Sequence, residues 1–196
     1  MRQRSIIVVG LLLMLAVPLS ASQFVALPFE QVAAESQYIV RGTIGQTWSA
    51  WDDAHEVIYT YATVNVTRYF GETTGPDTLM IREAGGTVDG YTMEAIGFPA
   101  IRSGENVVLM LSRWEDGADF RIHAFNQGKY LVSHRGGKEV LTADPLKQGE
   151  SRGIERGRVQ IQSVDELPGL LIEEFSQMVD NARAGRIVEV DRRQRQ

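Results

Sequence analysis

The chain has 196 residues, 43% hydrophobic and 23% charged, enough to bury one core and too few to expect two domains. Its formal net charge of −5 argues against a dedicated nucleic-acid-binding protein, which normally carries a basic excess. Because the sequence has no cysteine, disulfide frameworks, thiol nucleophiles, iron–sulfur clusters and cysteine-ligated zinc are excluded.

Residues 1–22 have the pattern of a secretory signal peptide. Two arginines precede an apolar run over residues 6–17, Pro18 ends that run, and small residues place the cleavage site before Gln23. The alternative is an uncleaved anchor, but the run is shorter than the roughly 20 residues that span a bilayer. We therefore expect an exported chain with a net charge of about −7 and no stable membrane insertion after cleavage. A cysteine-free exported domain suits a bacterial periplasmic or extracellular protein.

The mature chain then alternates apolar and polar residues in short segments, which is typical of β-strands. The predicted strands cover residues 38–48, 57–69, 79–81, 107–111, 120–124, 130–133 and 140–141, and turn signals at 71–77, 115–117 and 135–138 separate them. The continuous apolar run at 107–111 predicts the most buried strand. The spacing predicts a mainly β domain over residues 23–145: a small antiparallel OB-like barrel or roll of about six strands.

The C-terminal part has a different pattern. After a linker over residues 146–163, apolar residues recur at helical spacing, which predicts a helix over residues 164–185 with Asp165 as its N-cap and Gly185 as its stop. We expect the apolar stripe of this helix to pack on the barrel, and the alternative is a partner-binding helix. Residues 186–196 are predicted to be a polar tail.

Two groups of residues resemble catalytic or metal sites. Residues 149–153 match the G-x-S-x-G pattern around Ser151, but their flanks are polar and lack the strand and helix of a nucleophile elbow. His55 lies beside Asp52 and Asp53, which suggests a metal site or a hydrolytic pair. A charged turn between two strands explains the same three residues. His123 and His134 flank a predicted hairpin and could meet across it.

Trp48 and Trp51 are the predicted partner-binding residues. They bracket the connection between the first two strands, which is one of the loops that hold ligands in OB-type barrels. Aromatic residues are also the commonest anchors of binding surfaces. The alternative is that Trp48 ends the core face and only Trp51 is exposed.

Short motifs give the chain a resemblance to a known class. They are SQYIVRGTI at 36–44, RYFG at 68–71, GFP at 97–99, Gly104-Glu105 before Val107-Val108-Leu109, and NQGKY at 126–130. Over residues 29–144 the chain resembles exported bacterial proteins of unknown function with an OB-type barrel of the netrin-like class, which includes the tissue inhibitors of metalloproteinases. Those inhibitors place a disulfide-bonded N-terminal cysteine on the protease zinc. This chain has no cysteine, so the resemblance implies the fold alone.

The sequence therefore predicts an exported, soluble, non-enzymatic module that binds a protein or glycan through its barrel loops, with no cofactor. Two alternatives remain open. One is a small exported hydrolase that uses His55 with Asp52 or Asp53, or uses Ser151. The other is a structural envelope component held by its C-terminal helix.

Overall fold

The computed structural model describes residues 27–143, 158–160, 167–186 and 189–191. The strands are β1 (Tyr38–Trp51), β2 (Ile58–Tyr69), β3 (Thr78–Ala84), β4 (Gly86–Val88), β5 (Tyr91–Met93), β6 (Asn106–Arg113), β7 (Phe120–Ile122), β8 (Lys129–Arg135), β9 (Lys138–Ala143), β10 (Arg158–Gln160) and β11 (Glu189–Asp191). The helices are α1 (Phe29–Glu35), α2 (Ile172–Arg183) and a 3₁₀ turn at Phe125–Gly128. The predicted signal peptide and Ser151 lie outside the described residues.

Five strands close a barrel in the order β1–β2–β3–β7–β6, and β6 pairs back onto β1. The strand pairs are antiparallel except for β3 and β7, which run parallel and place Ile81 beside Phe120. This is a five-stranded Greek-key barrel of the OB type. The predicted mainly β, OB-like barrel with a C-terminal helix is confirmed. The hairpin of β8 and β9 extends the sheet from β6.

Strand β6 lies at the centre of the domain because both of its faces are covered. Its residues from Val107 to Leu111 are all 0% exposed, as the uninterrupted apolar run predicts. Val107, Leu109 and Leu111 face the barrel interior, whereas Val108 and Met110 face an outer layer.

The outer layer is formed by the two α-helices, which pack together against the sheet. The Phe175 ring of α2 meets the rings of Phe29 and Phe70 edge-on, at centroid distances of 6.1 and 5.2 Å. The apolar side of α2 is therefore buried within this domain. Its buried residues include Phe175, Met178, Val179 and Ala182. No helix among the described residues is both long enough and apolar enough to cross a membrane.

The predicted helix over residues 164–185 is wrong at its start, because α2 begins at Ile172. Leu141 on β9 donates its N–H to the Leu170 carbonyl at 2.8 Å, and Gly169 donates its N–H to the Leu141 carbonyl at 2.7 Å. These bonds hold the chain before α2 in a turn, in which the Leu170 N–H donates to the Leu167 carbonyl at 3.1 Å and Gly169 adopts a φ of 91°. The apolar spacing that looked helical there is produced by burial against β9 instead.

The ends of α2 explain its length. The Leu171 N–H donates to the Glu174 carboxylate at 2.8 Å, which satisfies a backbone group at the helix start. The predicted N-cap Asp165 lies outside the described residues. Gly185 adopts a φ of 66° directly after the helix, as the predicted stop requires.

Two short strands correct the prediction of an unstructured linker and tail. Strand β10 falls in the predicted linker over residues 146–163, and strand β11 falls in the predicted tail over residues 186–196. They pair with each other in antiparallel register, with Val159 opposite Val190. Because the paired residues lie far apart in sequence, the local pattern of the linker and that of the tail do not reveal the pairing.

Candidate functional site

A β-bulge decides where Trp48 points. Ile44 pairs with Val64 but Thr47 pairs with Ala62, so β1 gains one residue between these positions and its alternation is inverted. Trp48 therefore leaves the core face that the period of two predicts for it. Its side chain is 39% exposed and stacks on Tyr61 of β2, with centroids 5.5 Å apart and ring planes 8° apart. The alternative that Trp48 ends the core face is wrong.

Beside this stack lies a groove of about 570 Å³, hereafter the groove. One wall is the β1–β2 connection and the other is the β6–β7 connection, and the floor is formed by side chains of β2 and β3. The lining residues are Trp51, Asp52, Asp53, Ala54, Tyr59, Tyr61, Arg82, Trp114, Glu115 and Asp116. Its size falls within the range of small-ligand sites.

Arg82 of β3 organises the floor. Its guanidinium carbon lies 5.0 Å from the ring centroids of both Tyr59 and Trp114, and its Nη2 donates to Asp116 at 2.5 Å. The Trp114 indole N–H donates to the Arg82 carbonyl at 2.7 Å, which fixes the indole against β3. Burial lowers the pKa of Arg82, but the hydrogen bonds that its guanidinium donates to Asp116 and Tyr61 outweigh burial and raise the pKa overall. Arg82 is thus a permanent cation held between two aromatic rings.

The rim of the groove is acidic. The Asp52 carboxylate accepts backbone N–H bonds from Glu56 at 2.7 Å and Val57 at 3.1 Å, which close the β1–β2 turn. The bond from Val57, followed by that from Glu56, lowers the pKa of Asp52. The Arg82 guanidinium, and then the Ala118 N–H, lowers the pKa of Asp116. Both carboxyl groups are therefore ionised at neutral pH.

The structure brings Trp51 to the groove wall and Trp48 to the edge of its floor. The Trp51 ring stacks on His55 at 5.8 Å and meets Tyr91 of β5 edge-on at 6.0 Å. Trp51 is half-buried by these neighbours. Sequence reasoning found these two tryptophans but missed Tyr59, Tyr61, Arg82 and Trp114. The available signal was that Trp114, the third tryptophan of the chain, directly precedes a predicted turn.

Among the described residues, His55 lies in a charged turn, and the contacts of a metal-binding or hydrolytic arrangement, which were the alternatives for this residue, are not formed there. It adopts a φ of 57° at the tip of the β1–β2 connection, is exposed, and uses its ring to cover Trp51. The Asp52 carboxylate is occupied by backbone N–H groups rather than by this imidazole. Within the described part of the chain, no group of three or more His, Asp or Glu side chains could hold a metal ion.

The other two histidines take separate partners. His123 Nδ1 lies 3.2 Å from Ser112 Oγ, and its Nε2 lies 3.2 Å from a Glu35 carboxylate oxygen. This Ser–His–Glu series links α1 to the barrel outside the groove. The Ser112 Oγ also accepts a hydrogen bond from the Arg121 Nε, at 3.4 Å. His134 is exposed and lies 3.8 Å from Glu139. His123 and His134 therefore contact different residues, and none of these contacts joins the two histidines across a hairpin.

Glu83 is the most unusual titratable group of the barrel. It is 2% exposed on β3, and one carboxylate oxygen accepts the Ile122 N–H of β7. Its other oxygen, Oε2, has no hydrogen-bond partner among the described residues. Burial raises the pKa of Glu83 to about 8, although the Ile122 N–H and the Arg121 charge oppose that rise.

The comparisons with known proteins give no relative from which a role for these residues could be taken. No protein-family model, curated protein or solved structure matches the chain.

Proposed function

We propose that the protein is an exported, soluble, non-enzymatic interaction module that holds a partner protein or glycan in the groove. The observation that carries this proposal is the position of the tryptophans. Trp51 and Trp114 line the groove, and Trp48 stacks on Tyr61, which also lines it. These are all three tryptophans of the sequence, and tryptophan is the residue most enriched in binding hot spots.

The position of the groove in the barrel supports the proposal. In OB-type barrels the face of strands two and three, together with the loops after strands one and four, binds ligands. Here β6 and β7 are the fourth and fifth barrel strands, so the β1–β2 and β6–β7 connections correspond to those two loops. Because a fold does not determine a function, this correspondence adds to the argument from side chains and does not replace it.

The chemistry of the groove favours binding over catalysis. The hydrolase alternative, which uses a serine or a histidine, needs a nucleophile in hydrogen-bond reach of a base. The groove lining contains no serine, threonine, lysine or histidine, and its arginine is committed to Asp116 and two aromatic rings. What the lining offers is a rigid aromatic surface with an acidic rim.

The third possibility, a structural envelope component held by its C-terminal helix, has less support. The apolar side of α2 packs against α1 and the sheet, with Phe175 0% exposed. Little apolar surface of this helix remains exposed for contact with another protein or with a membrane.

A capture experiment with the mature chain, residues 23–196, tests the proposal. The protein is immobilised and incubated with bacterial envelope extract and culture fluid, and bound proteins and glycans are quantified by mass spectrometry. We expect a specific partner whose recovery falls about tenfold for Trp48→Ala/Trp51→Ala, because these changes remove the exposed indole of Trp48 and the indole that Trp51 contributes to one wall.

The matched control is Phe125→Ala, which removes an exposed aromatic residue outside the groove. Circular dichroism and thermal melting establish that each variant is folded. Equal recovery of every bound species by the wild type and the double tryptophan variant would reject the groove as the binding site.

A further inference from the structure

We infer that the occupant of the groove is a basic segment of a partner protein, whose arginine or lysine side chains enter between the aromatic floor and the acidic rim. This inference rests on the proposed function and specifies the ligand class for the same site.

Charge is the first argument. Four carboxylates line the groove, at Asp52, Asp53, Glu115 and Asp116, against one cation, Arg82. Arg82 donates a hydrogen bond to Asp116. The Asp52 carboxylate accepts backbone N–H groups of the β1–β2 turn, including that of Glu56. The remaining two, Asp53 and Glu115, are exposed, and they belong to opposite walls of the groove. An anionic ligand would be repelled by this rim, whereas a cation would be attracted from either side.

The second argument is that the floor already binds one guanidinium. Arg82 lies against the rings of Tyr59 and Trp114 and pairs with a carboxylate, which is the environment that arginine recognition uses. Trp51 and Tyr61 present further aromatic surface in the same groove, which Asp53 and Glu115 also line. An incoming arginine would therefore meet aromatic rings and carboxylates, the two kinds of group that hold Arg82.

The third argument concerns the alternative occupant, a neutral glycan. Sugar rings stack on the same kind of aromatic face that a guanidinium uses, so the rings of Trp51 and Tyr61 do not separate the two ligand classes and the carboxylates must. A neutral sugar would gain nothing from the two unpaired carboxylates beyond hydrogen bonds. A basic side chain gains from both the rings and the carboxylates, and its alkyl stem covers apolar surface.

Titration of the whole mature chain with short probes tests the inference. The probes are hexa-arginine blocked at both ends, the isosteric neutral hexacitrulline, and chitohexaose as a neutral oligosaccharide. Binding is followed by tryptophan fluorescence and by isothermal titration calorimetry. We expect hexa-arginine to quench the fluorescence and to bind at least about tenfold more tightly than hexacitrulline. Raising the salt from about 0.05 to about 0.5 M should weaken the binding.

A charge-matched pair of variants separates the groove from general attraction to an acidic protein. Asp53→Asn/Glu115→Gln removes both exposed carboxylates from the rim, and Glu173→Gln/Asp180→Asn removes two exposed carboxylates from α2, which does not line the groove. We expect about tenfold weaker binding of hexa-arginine to the first variant and a change below about twofold for the second. All four substituted side chains are exposed, so both variants should retain the wild-type melting temperature.

Three results would overturn the inference. The first is equal weakening by the two variants, since net charge alone would then attract the probe. The second is binding of chitohexaose that survives removal of both rim carboxylates, which would make the ligand a glycan and leave the proposed function standing. The third is that no probe binds. In that case, capture of a tryptophan-dependent partner would preserve the proposed function, and failed capture would reject both.

Discussion

Replacing the buried carboxyl of Glu83 by an amide should change how the stability of the protein depends on pH. Glu83→Gln keeps the side-chain shape and an oxygen that accepts the Ile122 N–H. It removes the ionisable group whose second oxygen has no hydrogen-bond partner among the described residues. The exchange therefore isolates the cost of ionising this carboxyl inside the barrel.

The size of the effect follows from the two pKa values. The carboxyl titrates near 4.5 in the unfolded chain, whereas burial raises the pKa of Glu83 to about 8 in the folded state. Below pH 4.5 both states are protonated, and the stability is fully present. As the pH rises towards 8, only the unfolded state releases its proton, so the stability falls by up to about 1.4 kcal/mol per pH unit. The total loss by pH 8 is at most about 5 kcal/mol.

Urea unfolding at pH 5, 6, 7 and 8, followed by tryptophan fluorescence and circular dichroism, measures the free energy of unfolding. The wild type should lose stability relative to Glu83→Gln as the pH rises, and the difference should reach several kcal/mol at pH 8. Glu94→Gln, at an exposed position, is the control and should follow the wild-type profile. Parallel pH profiles for the wild type and Glu83→Gln would refute the reasoning.

Two further changes test the packing. Lys129 is 0% exposed and its ammonium pairs with Glu105 at 2.7 Å. Lys129→Met should remove this pair while Glu105 keeps Arg102 at 3.1 Å, and should cost about 1–3 kcal/mol in urea unfolding; Lys129→Met combined with Glu105→Gln should recover part of the loss, and no recovery would contradict the pairing. Phe175→Ala empties the centre of the outer layer and should lower the unfolding free energy by about 3–5 kcal/mol; a loss below about 1 kcal/mol would show that α2 adds little to the core.

The strands and the barrel could be predicted because their signals are local. The period of two marks β1 and β2, the continuous apolar run marks β6, and the residues at 135–138 mark a hairpin turn in which Gly136 and Gly137 adopt φ values of 57° and 76°. Each of these signals arises from residues that are neighbours in sequence. Once these strands are known, the rules for connecting strands allow only a few topologies, and a closed five-stranded barrel is one of them.

The groove could not be predicted in the same way. Its lining joins Tyr61, Arg82 and Trp114, which lie on β2, on β3 and in the β6–β7 connection and meet only once the barrel is closed. The bulge after Ile44 also moved Trp48 to the outer face, and Gly45 was its only sign in the sequence, one that a strand interpretation with an unbroken period of two passes over. The late start of α2 has a similar cause, since pairing with Leu141 overrides a helical spacing of apolar residues.

The contact between α1 and α2 has a consequence for how the chain matures. Phe29 near the start of the domain and Phe175 near its end share one apolar layer. While the chain is still emerging from the ribosome, the barrel strands can pair, but α1 and the outer faces of Val108 and Met110 stay uncovered. Helix α2 follows all five barrel strands in the chain, so the outer layer is completed only after those strands have been synthesised. A chain that stops before α2 would therefore expose this apolar layer to water.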